Sequence, residues 1–147
     1  MNKKTGTGRR EAPTSELTSR TLRRQSCRIE YHPGFTSSID GFPVDDLDVI
    51  VPELQDFITD WREAKTDSDL YAIWDYKAIQ GFEDARKYQV RQIRLGKARK
   101  FRAFLTVRPG NPPCMWFLEV VRRDKNQSDK ARERAIRRAK TEWESLG

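Results

Sequence analysis

Arginine and lysine recur at strand-like spacing through the second half of the chain, at Arg91, Arg94, Lys97, Arg99, Lys100, Arg102, Arg122, Arg123 and Lys125. A guanidinium fork holds phosphate oxygens bidentately, and Phe or Trp rings stack on unpaired bases. Residues of these types together suit single-stranded RNA better than a stiff duplex. A register makes the idea specific. If a hairpin turns on the four residues Pro109 to Pro112, Arg108 faces Pro113, Arg102 lies across from Glu119, Phe104 from Phe117 and Thr106 from Met115. Directly opposed residues share a face. One face then carries Arg102, Phe104, Thr106, Phe117 and Glu119, extended by Arg99 and Arg122; the other, the core face, carries Phe101, Ala103, Leu105, Val107, Trp116, Leu118 and Val120. The same residues also allow a plainer arrangement, in which Arg102 and Glu119 form a cross-strand ion pair and the aromatics pack under a final helix.

The elements that would position these groups are readable from periodicity. Cys27 to His32 alternates as a first strand and stops at Pro33-Gly34, which is turn chemistry. From Asp45 to Lys65 the residues Leu47, Ile50, Val51, Leu54, Phe57, Ile58 and Trp61 recur at three- and four-residue steps, the mark of one buried helical stripe. Pro52 means that this helix either begins there or is kinked there. A second helix is expected from Ser68 to about Ile79, with Leu70, Ile73, Trp74 and Ile79 facing inward and Gly81 ending it. The period then changes to two. Tyr88 to Leu95, Phe101 to Arg108 and Met115 to Arg122 read as an antiparallel meander with turns at Gly96 and at Pro109 to Pro112. Ser128 is an N-cap candidate for a last helix with Ala131, Ala135, Ile136, Ala139, Trp143 and Leu146 along one edge. The expected class is α+β: strand, helical hairpin, three-stranded meander, C-terminal helix, with no internal repeat.

Charge divides along the chain as sharply as the periodicity. The 147 residues hold 29 Lys and Arg against 22 Asp and Glu, a net charge of +7, which makes a polyanion the first partner to consider. Residues 1–26 carry seven basic and two acidic side chains, residues 27–85 four and fourteen, and residues 86–147 eighteen and six. The basic C-terminal half is the part that would meet phosphates. Residues 1–26, rich in Thr, Ser, Gly, Lys and Arg with only Leu17 and Leu22 as sizeable apolar groups, read as a disordered basic tail ahead of one folded domain over 27–147. Cys27 and Cys114 have no second Cys or His at ligand spacing and the basic half has no acidic cluster, so no metal and no cofactor is expected, and a reduced cytoplasm fits best. No run approaches the roughly 18 apolar residues that span a bilayer, and Met1 to Arg10 has no apolar stretch behind it, so neither a membrane anchor nor a secretory signal is expected.

From about Cys27 to Leu146 the chain resembles the RelE/HigB/ParE superfamily of small toxins from toxin–antitoxin pairs. The resemblance rests on the order of elements and on two stretches. Lys100-Phe101-Arg102-Ala103-Phe104 is similar to the start of the family's third strand, and Val120 to Asn126 to its basic strand-to-helix turn, with Ala135 to Lys140 following like its Ala/Arg-rich last helix. It implies a RelE-like fold and a ribosome-associated, metal-independent endoribonuclease that cleaves messenger RNA, with a cognate antitoxin protein as partner. Residue by residue, it places Arg102 at the scissile phosphate, Arg122, Arg123 or Lys125 in the basic group after the fourth strand, and Arg91 and Arg94 on the RNA backbone. Lys97, Arg99 and Lys100, in the turn between, join the RNA-binding set. Cleavage by the 2′-hydroxyl needs charge stabilisation, a base and an acid.

One departure bears on catalysis. Relatives often use a Tyr or His near the last strand or helix, whereas here neither residue occurs after Tyr88, and the sole histidine, His32, reads as a surface or turn residue. Glu119, Tyr88 and Asp124 remain as proton handlers, so Arg102, Arg122 and Glu119 are the catalytic candidates. Two other readings stand beside this one: a ParE-like gyrase poison without nuclease activity, and a non-catalytic, phage-type nucleic-acid-binding protein.

Overall fold

A computed structural model describes residues 23–64, 66–123 and 128–145. Strand β1 (Arg28–Tyr31) is followed by helices α1 (Pro33–Asp40), α2 (Val44–Glu63) and α3 (Asp67–Trp74). The short strand β2 (Lys77–Ala78) and helix α4 (Glu83–Lys87) lead into β3 (Val90–Leu95), a 3-10 turn (Lys97–Arg99), β4 (Phe101–Arg108), β5 (Cys114–Arg122) and the final helix α5 (Ser128–Glu144). The class is α+β, with one mixed sheet in the order β1-β5-β4-β3-β2, parallel only between β1 and β5. Among the described residues no helix is long and apolar enough to cross a membrane.

Helix α1 was not expected. Pro33 occupies its first turn, and the His32 ring accepts the Gly34 N–H through Nδ1 at 2.9 Å, so the Pro-Gly pair opens a helix where it had suggested a turn. Helix α2 begins at Val44, not at Pro52, keeps Pro52 inside it, and buries Ile50, Leu54, Phe57, Ile58 and Trp61. Helix α3 is shorter than periodicity suggested. At eight residues it turns only Leu70 and Trp74 inward, leaves Ile73 63% exposed, and stops at Asp75 in the left-handed region (φ 55°). Residues 1–22 of the expected tail lie outside the described residues. The folded unit starts before Cys27, because Arg24 donates to the Trp61 carbonyl at 2.8 Å and stacks 4.6 Å from the Trp61 ring centre.

The sheet is buried on both faces. Ile93, Leu95, Phe101, Ala103, Leu105, Met115, Phe117 and Val120 pack under α1, α2 and α3, while Val90, Phe104, Leu118, Trp116 and Val121 pack with Ala131, Ala135, Ile136 and Ala139 of α5. The register differs from the expected one. Arg108 faces Cys114, Thr106 faces Trp116 and Leu105 faces Phe117; Leu118 is then bulged out, so that Phe104 faces Glu119, Arg102 faces Val121 and Phe101 faces Arg122. A one-residue slip carries Phe117 to the α2 side and Trp116 and Leu118 to the α5 side. The extra residue at the bulge brings Val120 back to the α2 side, where it had been expected.

Candidate nucleic-acid interface

At the end of the sheet where β3 finishes and β4 begins, Arg94 and Arg102 are direct cross-strand neighbours on the α5 side. Like charges in that position repel. Two carboxylates at this end offset part of that cost. The Arg94 Nε lies 2.9 Å from Asp75 Oδ2, and Lys77 Nζ lies 3.4 Å from the same oxygen. Arg132, in the first turns of α5, is paired with Asp129 at 2.9 Å. Arg102 is 6% exposed, and its pKa is held below the usual arginine value by burial first, then by Arg132, Arg94 and Arg123, with Asp75 pulling the other way. Lys77 and Arg94 thus sit on Asp75 and Arg132 on Asp129, and Arg94, Arg123 and Arg132 all bear on Arg102. Among the described residues cations outnumber carboxylates here, and clustered guanidinium groups can hold phosphate oxygens.

The neighbouring turn is set by a contact from the opposite face. Glu53 of α2 accepts the Gly96 N–H at 2.9 Å, and Gly96 has the positive φ (85°) that a side chain would strain. Lys97, Arg99 and Lys100 follow, exposed, at the same end of the sheet as Arg94 and Arg102. The Arg123 N–H donates to the Lys100 carbonyl at 2.7 Å, tying the end of β5 to this turn. Lys125 and Asp124 lie outside the described residues.

Several expected site residues are elsewhere. Arg122 is on the other face, ion-paired with Asp46 at the start of α2 and 5.3 Å from the centre of the Phe101 ring. It is thus engaged on the α2 side, and it lines a groove with Glu119, Arg134 and Arg138 rather than with Arg102. Arg91 stands opposite Leu105 on the α2 side and lines a groove with Arg24, Trp61, Asp67 and Tyr76. Glu119 is 3% exposed at the seam where α1, β5 and α5 meet, accepting from Ser38 Oγ and Arg134 Nε, with Arg138 Nη1 at 3.2 Å. Its carboxylate is occupied in joining three elements. The expected Arg102–Glu119 pairing is not formed either, because the bulge places Phe104 opposite Glu119 and Val121 opposite Arg102. Neither ring expected to stack on bases is available: Phe104 and Phe117 are both 0% exposed, and Phe117 stacks on Tyr31 at 5.6 Å.

The other proton-transfer candidate that can be placed, Tyr88, is at the far end, donating to Glu144 at 3.1 Å and meeting Trp143 edge-on. Lys77, Asp75 and Arg132 were missed. Arg132 carried a weak signal, since it directly follows Ala131 on the edge of the α5 apolar stripe. Lys77 and Asp75 carried none, because they reach this surface only through the turn that follows α3. Among the described residues no three His, Cys, Asp or Glu side chains converge as a metal site would require. Compared with protein-family models, with curated proteins and with solved structures, the chain matches none.

Proposed function

We propose that this protein is a toxin of the RelE type that engages messenger RNA on the ribosome through the α5-side end of its sheet. The observation that carries the reading is the gathering of Arg94, Arg102, Arg123 and Arg132 at one strand end. The order of elements supports it too, with β1 parallel to β5 ahead of a C-terminal helix, in keeping with the RelE-like fold that the resemblance implies. In this reading Arg94 and Arg102 hold one phosphate and Arg123 and Arg132 its neighbours, and Arg102 stabilises the charge that develops as the ribose 2′-oxygen, its proton passing to water, bonds to phosphorus and the bond to the 5′-oxygen breaks, the leaving oxygen taking a proton from water. Lys97, Arg99 and Lys100 extend the track along the backbone. A cognate antitoxin would cover the same cations with acidic side chains.

A second reading is favoured by two particular observations. Arg102 is nearly buried and Glu119 is closed off in ion pairs, so this surface also suits RNA binding without strand scission. Controlled expression with mapping of RNA ends separates the two. New ends inside translated messages, absent for Arg102→Lys, support the toxin. Growth without new ends, together with salt-sensitive RNA binding by the purified protein, overturns scission and leaves binding. Arrested growth with intact RNA would overturn both in favour of a gyrase poison.

A further inference from the structure

We propose that Asp75 is the group that reads ribose on this surface, accepting a hydrogen bond from the 2′-hydroxyl of the nucleotide whose phosphate Arg94 and Arg102 hold. The inference rests on the phosphate-binding reading above and adds the choice of sugar. Asp75 stands at the left-handed C-cap of α3, and its side chain is 12% exposed. Its ion pairs with Arg94 and Lys77 both run through Oδ2, at 2.9 and 3.4 Å. An ionised carboxylate only accepts hydrogen bonds, and it has more lone pairs than two ion pairs occupy. A phosphate approaching Arg94 and Arg102 is repelled by this carboxylate, so as a phosphate site alone the cluster would be better without it. A hydroxyl donor on the same nucleotide reverses that sign. The 2′-hydroxyl is a donor that RNA has and DNA lacks, and it lies next to the 3′-phosphate.

Asp75 therefore costs binding to DNA and contributes to binding of RNA. Its pairing with Lys77 and Arg94, one on each of the adjacent strands β2 and β3, holds it in place, so little ordering is needed when the ribose arrives.

The test uses the full chain and fluorescein-labelled oligouridine in three chemistries, RNA, 2′-O-methyl RNA and the deoxy equivalent, read by fluorescence anisotropy at fixed salt. Gel analysis confirms that the RNA stays intact. The RNA is expected to bind about tenfold more tightly than either analogue, the worth of one hydrogen bond to a charged acceptor. Asp75→Ala is expected to bring the three together, with the deoxy oligomer bound more tightly than by the parent. Asp75→Asn, whose amide oxygen still accepts, is expected to keep part of the preference. Equal binding of RNA and 2′-O-methyl RNA by the parent protein overturns the proposal without any variant, as does an unchanged preference in a folded Asp75→Ala protein. If the parent binds none of the three oligomers, the phosphate-binding reading falls first and this inference with it.

Discussion

On the α2 side of the sheet Phe57, Phe101, Phe117, Ile93 and Leu105 are all buried to 2% exposure or less under a twenty-residue helix. On the other side α5 offers Ala131, Ala135 and Ala139 to the sheet, and the strands answer with Gln92, Arg94, Arg102 and Thr106 beside Val90, Phe104 and Leu118. Large rings form a thick apolar layer that supplies most of the stabilisation. Alanines, with nothing beyond Cβ, let α5 pack on the strands, and polar strand residues next to it are shielded from bulk water: Gln92, Arg102 and Thr106 are each 6% exposed or less. One face is built for stability; the other gives up apolar area to hold charge. Polar residues are confined there by their own hydrogen bonds, as where Thr106 Oγ1 donates to the Tyr88 carbonyl at 2.6 Å and accepts from Trp143 Nε1 at 2.9 Å.

The largest test of that contrast is Phe117→Ala against Ala135→Gly. The first opens a ring-sized cavity on the aromatic face and is expected to cost about 3–5 kcal/mol in urea unfolding. The second lowers helix propensity on the alanine face and is expected to cost about 1 kcal/mol. Equal losses would break the comparison. Next is Glu119→Ala, which leaves Arg134 and Arg138 facing a site with no anion; because both are partly solvated, about 2 kcal/mol is expected rather than the full cost for a buried pair. If Glu119 acts only as a proton handler, the same variant loses RNA cleavage without losing stability.

A third test concerns charge rather than packing. Arg94→Ala and Arg132→Ala are each expected to lower the salt-dependence slope of RNA binding by about 1, while Arg122→Ala, on the aromatic face, leaves it unchanged. An equal change for Arg122→Ala would mean that both faces meet the ligand. The smallest effect is a pH dependence at the α1 cap. His32 accepts the Gly34 N–H, and its pKa is held below 6.5 by burial first and by Arg138 second, with Glu142 and Glu119 opposing. The unfolded chain then takes up the proton before the folded one does. This contribution is whole above pH 6.5 and declines as the pH falls below it. His32→Asn keeps a cap acceptor and should remove that part of the decline in melting temperature on acidification.

How far the sequence carries depends on the element. Strand β4 was legible to the residue, because Phe101 to Arg108 alternates between two turn signals, and α2 was legible from its stripe despite Pro52. The last helix was legible from its alanines. Helix α1 was not, because a proline that ends a strand and one that starts a helix look alike until the cap residue before it is seen. Nor was the site. The sequence pointed to arginines of β3 and β4, of which Arg94 and Arg102 do face one another, but it set Arg122 on their face, where the pairing puts it opposite Phe101, and Glu119 opposite Arg102, where the pairing puts Phe104.

What the sequence determined by itself is the segregation of charge, the α+β class and the core positions of β4, since these follow from local composition and from periods of two and 3.6 residues. What only the tertiary structure decided is which arginines meet. One bulged residue, Leu118, shifts the pairing of β5 against β4, and a single step exchanges the faces of a strand. The juxtaposition of Asp75 and Arg132 with Arg102 is likewise invisible in any local window, because it depends on where α3 stops and on how closely three alanines let α5 approach the sheet.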